Sequence, residues 1–193
     1  QRTGYFSGVT LRPLLDERAA GRVPVRLELF PAKRHTIEVG IGFSTDTEER
    51  VSATWTTPRV NRFGHSQETR FEYSRINPSG QFIYNIPLTH PLDDVLQLSL
   101  RVEQNEYGDL DSNQNEAQVR RERRYGNWVL SYHLRLLNER WDAATVTGDE
   151  DYVLPGFTVS HKTRQGSPVN PDRGFSQFYE VEATSSQLGS SID

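Results

Sequence analysis

The chain has 193 residues, a formal net charge of −4 and no cysteine. No global basic field invites nucleic acid, and neither a disulfide framework nor a thiolate metal or redox site is available. Mean hydropathy is −0.70 and no run approaches the ~18 apolar residues of a membrane helix. A barrel stays open, because its lumen-facing polar residues alternate with lipid-facing apolar ones.

The chain begins with Gln1 and contains no methionine, so it is expected to be an internal piece of a longer protein. Of its 22 basic residues only Lys33 and Lys162 are lysine. Arginine's planar, multi-donor fork suits dense networks with carboxylates, although a genomic bias toward arginine codons explains the same composition.

In chain order, "QRTGYF" reads as the end of a helix with Gly4 as its stop. "GYFSGVTLRPLLD" and "VPVRLELFPA" read as two strands joined by "ERAAGR", with Gly21 in the turn. Residues 1–33 are therefore expected to be the last part of an α+β unit. Residues 34–193 repeat strand and turn, and give about nine strands: "HTIEVGIGFS", "RVSATWTTP", "HSQETRFEYSRI", "QFIYNIPL", "DVLQLSLRVEQNE", "NEAQVRRERRY", "NWVLSYHLRLLNERW", "YVLPGFTVSHKTR" and "FSQFYEVEATSS". Most are near the ~9–11 residues that a tilted strand needs to cross a bilayer, and longer than the globular norm of ~5–6.

The strands have two unlike faces. Ile37, Val39, Ile41 and Phe43 alternate with Thr36, Glu38, Gly40, Gly42 and Ser44. Leu96, Leu98, Leu100 and Val102 oppose Gln97, Ser99, Arg101 and Glu103, while Ala117 and Val119 oppose Arg120, Glu122 and Arg124. Trp128, Leu130, Tyr132, Leu134 and Leu136 oppose Ser131, His133 and Arg135. Arg101, Glu103, Arg120, Glu122, Arg124 and Arg135 are thus candidates to face a lumen and pair between adjacent strands. Tyr73, Tyr84, Trp128, Trp141, Tyr152 and Tyr179 lie near strand ends, as interface girdles require. "VNRFGH", "THPLDD", "RRYGN" and "RQGSPVNPDRG" form one set of turns, rich in Gly and Pro. "TDTEER", "NPSG", "YGDLDSNQNE" and "DAATVTGDED" form the other, mostly longer and acidic, matching the short-turn, long-loop asymmetry of outer-membrane barrels.

Catalytic and metal chemistry is hard to find. His35, His65, His90, His133 and His161 sit singly, without metal-site spacing. "GIGFST" lacks the third glycine of a dinucleotide fingerprint, and "GFSTD" and "GFSQF" do not complete a nucleophile elbow. Asp93–Asp94 and Asp149–Glu150–Asp151 read as solvated turns, with calcium binding by the acidic loops as the alternative. No enzyme, metal or cofactor is expected.

"GYFSGV", "GIGFSTD", "RVSATWTTPRVNRFGHS" and "LPGFTVSHKTRQGSPVNPDRG" together resemble the Omp85 superfamily and, within it, its translocation-and-assembly branch. The resemblance implies an all-β, sixteen-stranded, antiparallel up-and-down membrane barrel in the outer membrane of a Gram-negative bacterium, preceded by periplasmic POTRA domains. Residues 1–33 would end the last POTRA domain and residues 34–193 would supply the first nine or so strands. The implied partners are a TamB-like periplasmic protein bound through the POTRA domains, unfolded outer-membrane proteins such as autotransporters, and outer-membrane lipid. The implied site is a lateral seam on the first barrel strand, residues 36–44 (Thr36, Ile37, Glu38, Val39, Gly40, Ile41, Gly42, Phe43 and Ser44). A passive outer-membrane pore and a soluble β-sandwich binding module are the competing readings.

Overall fold

The computed structural model describes residues 3–15, 21–44, 48–143, 145–167, 169 and 171–191. Two antiparallel strands, β1 (Phe6–Pro13) and β2 (Val25–Pro31), form a small sheet of their own. A second sheet holds β3 (Thr36–Ser44), β4 (Glu48–Thr57), β5 (Ser66–Ser74), β6 (Ser79–His90), β7 (Asp94–Tyr107), β8 (Leu110–Tyr125), β9 (Trp128–Ala143), β10 (Val146–Gly166) and β11 (Pro171–Glu182). Its spatial order is its chain order, every neighbour antiparallel, with β3 and β11 at the edges. This is an up-and-down sheet of nine strands, the number expected. A 3-10 turn at Ser186–Leu188 follows β11, and no α-helix occurs among the described residues.

The period-2 pattern sets the register. Directly paired residues share a face, so Ile37, Val39 and Ile41 stand beside Trp55, Ala53 and Val51. The same face continues through Phe71 and Tyr73, then Phe82, then Leu98, Leu100 and Val102. It runs on through Ala117 and Val119, then Leu134 and Leu136, then Val153 and Phe157, to Tyr179 and Val181. Among the described residues no hydrophobic side chain is buried. The buried ones are polar, including Ser99, Ser112, Ser131 and Thr158 on the opposite face. A β-sandwich needs a second sheet packed on the apolar face, and the described residues contain none. The sandwich reading is not met.

Several boundaries differ from expectation. Residues 3–5 turn, and Phe6 already opens β1, so the helix end expected over residues 1–6 is not formed there. Residues 1 and 2 lie outside the described residues. Gly4 does adopt the left-handed backbone, φ +71°. "ERAAGR" and "TDTEER" fall partly outside the described residues; Gly21 has φ +73°. The long acidic loops expected at "YGDLDSNQNE" and "DAATVTGDED" are not loops. β7 and β8 pair to Tyr107↔Leu110, and β9 and β10 to Ala143↔Val146, across tight turns. Side-chain bonds between strands hold these polar extensions: Ser112 and Gln114 donate to Glu139, and Asn138 donates to Asp149 and Asp151. The turns therefore do alternate between two ends, but the expected length asymmetry is absent.

The first sheet is tied to one of those ends. Tyr5 donates its hydroxyl to the Gly64 carbonyl at 2.8 Å, in the β4–β5 turn. Gly64 has φ +80°, and a Cβ there would press on that hydroxyl. Burial pushes the Tyr5 hydroxyl above its usual pKa, against the pull of Arg59, so it stays a neutral donor. Removing the bond in Tyr5→Phe is expected to cost about 1 kcal/mol. Limited proteolysis should then cut the 58–65 turn faster than in the parent protein.

Candidate functional site

β3 pairs with β4 along its whole length, Thr36↔Thr56 to Ser44↔Glu48, and its other side carries no strand among the described residues. Its apolar side chains are strongly exposed: Ile37 at 69%, Val39 at 71%, Ile41 at 86% and Phe43 at 78%. Thr36, Glu38, Gly40 and Gly42 lie on the polar face, as the alternation predicts. The two glycines differ: a Cβ at Gly40 would sit 2.7 Å from the Ser52 hydroxyl, whereas one at Gly42 would meet nothing within 4 Å. The strand is thus an open row of backbone donors and acceptors, with little side-chain packing on its polar side. Such an edge is a template for another strand.

The six charged residues expected to face a lumen do share the polar face. Their pairing is more local than expected. Arg101 pairs with Glu103 two residues along its own strand, and Arg120 reaches Glu122 at 3.4 Å in the same way. Arg124 stands 4.0 Å from Glu122. Only Arg135 bridges strands, to Glu116 at 3.5 Å on β8 and to Glu182 on β11. To reach Glu182 it spans β10, where Gly156 pairs with Glu182 and with His133. His133 lies across Gly156 and meets the Glu182 carboxylate at 2.9 Å. Glu116, His133 and Glu182 complete this cluster. The sequence placed His133 on the polar face but gave no sign that Gly156 opens its path to β11.

The apolar face carries polar and aromatic groups at the end nearest the first sheet. His35 Nδ1 lies 3.0 Å from the Thr57 hydroxyl, which accepts from Gln67. His65 meets the Tyr84 hydroxyl at 3.0 Å. Farther along, Trp128 stacks on His161 with centroids 4.3 Å apart, and Phe175 follows at 6.3 Å from His161. Tyr73, Tyr84, Trp128 and Tyr179 belong to this face as expected. Trp141 and Tyr152 do not: by register they pair with Ser112, Gly148 and Leu137 on the polar face, and Trp141 lies over Gly148. Asp94, Arg121 and Arg123 also stand on the apolar face. The signal for them was the run "RRERR", which puts charges on both faces in any register.

A single-layer, up-and-down antiparallel sheet with one polar and one apolar face is the wall of a β-barrel. No protein-family model matches the chain. Its fold is similar to the crystal structure of BamA from Haemophilus ducreyi lacking POTRA domains 1-3, with a TM-score of 0.69 and 11% identity. The match covers 95% of this chain and 40% of that one, so the chain spans about two fifths of the length of that structure.

The His133–Gly156 contact makes a separable prediction. Gly156→Ala forces the imidazole off β10, and overpacking of this kind costs about 1–3 kcal/mol. In His133→Ala/Gly156→Ala the clash is gone. Urea unfolding should show the double variant less destabilised than the sum of the single ones.

Proposed function

We propose that the chain belongs to an outer-membrane assembly factor of the Omp85 type, resembling TamA, the outer-membrane subunit of the translocation and assembly module. It helps insert or translocate β-barrel proteins such as autotransporters. The observation that carries this reading is the β3 edge: a strand that pairs on one side only among the described residues, with an exposed apolar face and with Gly40 and Gly42 on its polar face. The likeness in fold to a BamA structure supports it. So does the Omp85 resemblance of the sequence.

The mechanism needs no catalytic residue. Unpaired N–H and C=O groups in hydrocarbon cost several kcal/mol each. An incoming strand that bonds to residues 36–44 removes that cost, and the bilayer becomes the reason the client pairs. Gly40 and Gly42 lack side chains to pack and weaken whatever strand normally closes against them. In this reading β1 and β2 end a periplasmic POTRA domain, through which a TamB-like protein binds. The end of the barrel next to them faces the periplasm. Arg101, Glu103, Arg120, Glu122, Arg124 and Arg135 then line the lumen.

Two experiments test the reading. In the full-length protein, a photo-crosslinker at Val39 should capture a client strand during insertion. Tethering the 36–44 edge shut by a disulfide should stall insertion, with recovery on reduction. Insertion unchanged by the tether overturns the seam, and conductance without any assembly defect on gene deletion favours a passive pore. The membrane placement makes its own prediction for stability in lipid vesicles. Leu134, in the middle of the apolar face between Val119 and Pro155, should lose about 2–4 kcal/mol as Leu134→Arg. Gln114→Arg, on the polar face between Glu103 and Glu139, should stay within about 1 kcal/mol of the parent in the same urea titration.

A further inference from the structure

We propose that Arg121 and Arg123 form a binding site for the phosphate of a membrane phospholipid, on the lipid-facing side of β7–β9 at the end nearest the first sheet. The inference rests on the outer-membrane reading, which makes that end the periplasmic leaflet.

The apolar face is expected to avoid charge, since a cation exposed to hydrocarbon is costly. Here it carries three charged groups in one cluster. Asp94 accepts two bonds from Arg121, Nε and Nη2 each at 3.0 Å, and a third from the Thr89 hydroxyl at 2.9 Å. Arg123 is directly opposite Asp94 in the register, with its Nε 3.7 Å from the same carboxylate. One carboxylate therefore serves two guanidinium groups, leaving one positive charge in excess. The exposure is as unequal as the charge: the Asp94 side chain is 4% exposed, while Arg121 and Arg123 are 37% and 36% exposed. Asp94 is covered by its partners and clamps them together, and what the cluster leaves exposed is cationic.

Its surroundings fit a lipid headgroup. Arg123 lies over the Tyr125 ring at 5.3 Å. Tyr125 pairs with Trp128, and Arg121 pairs with Tyr132, so aromatic residues of the kind found at the headgroup level flank both arginines. The same face becomes polar again at Asn115, six residues before Arg121 on β8, about 20 Å along the strand. Between them lie Ala117 and Val119, so Arg121 and Arg123 close the apolar stretch of this strand on the side of the first sheet. In the outer-membrane reading that is the side of the periplasmic phosphate layer, which supplies acceptors. The opposite end of the face cannot take the same ligand. There Arg140 is paired with Asp149 at 2.9 Å and Asp151 lies close by on Asn138, so the excess charge is negative. Guanidinium groups bind phosphate through planar, charge-assisted bonds, and two of them held apart by a shared carboxylate leave outer N–H groups to do so.

The test is native mass spectrometry of the full-length protein, folded into vesicles of phosphatidylethanolamine and phosphatidylglycerol and then released into detergent. The parent protein should retain phospholipid. Arg121→Gln/Arg123→Gln should retain at least about tenfold less, the loss expected for one charge-assisted bond to phosphate. Arg123→Gln alone leaves the Asp94–Arg121 pair intact and guards against misfolding; it should lose severalfold. Arg101→Gln, on the polar face, should retain lipid like the parent. An inserted double variant that keeps phospholipid as tightly as the parent overturns this inference alone. A parent protein that folds without entering any vesicle overturns both the inference and the outer-membrane reading. Phospholipid that inorganic phosphate alone displaces from the parent protein overturns the assignment to a lipid headgroup.

Discussion

Everything in the nine-stranded sheet depends on one constraint: its apolar face has no partner among the described residues. In a soluble domain, burial of such a face is the main favourable term in folding. Here the residues that would form a core, from Ile37 to Val181, point outward, and the side chains that are buried are hydroxyls, amides and one carboxylate. Cohesion must then come from the backbone ladders, which run almost unbroken from β3 to β11, and from polar contacts on the inner face. A bilayer turns this arrangement from a liability into a stable state, because it covers the apolar side chains and makes every unpaired backbone group expensive.

The same constraint separates the two ends of the sheet. At the β11 side, the part of β10 that β11 does not reach is partly sealed by the chain that follows. Ala183 donates to Pro155, Ser190 Oγ accepts from the Val153 amide, and Ser191 bonds Asp151 through both backbone and side chain. β3 has no equivalent cover among the described residues. The overhanging part of β10 is thus capped locally, whereas β3 and the outer side of β11 carry no strand among the described residues and remain the edges that must be managed.

Much of this was legible in the sequence because the strand period is an integer. Once Ile37, Val39, Ile41 and Phe43 define a face, the register carries that assignment across eight more strands, and the shared polar face of Arg101, Glu103, Arg120, Glu122, Arg124 and Arg135 follows from parity alone. Parity also places Arg121 and Arg123 on the apolar face and Trp141 on the polar one, although strand-end aromatics such as Trp141 are expected in an outer girdle. The acidic segments misled for a related reason. Asp, Asn and Gly have poor strand propensity, so residues 107–116 and 142–151 read as loops. Cross-strand amide–carboxylate bonds, such as those of Asn138, outweigh that preference once two such segments lie side by side. The contact between His133 and Glu182 could not be read at all, since it depends on a side chain crossing an intervening strand.

Glycine shows how the inner face grades from locked to loose. Gly148 and Gly156 stand under the rings of Trp141 and His133, so the missing side chain is replaced by a neighbour's and the ladder there gains packing. Gly40 is met only by the Ser52 hydroxyl, and Gly42 by nothing within 4 Å. The same residue therefore stiffens β9–β10 and leaves β3 unsupported, although all four glycines lie on one face. In the proposed membrane setting, a strand weakened only on its polar side would keep its apolar contacts with lipid while its pairing became easier to exchange. That is the property a templating edge requires: staying in the membrane while letting go of a neighbour.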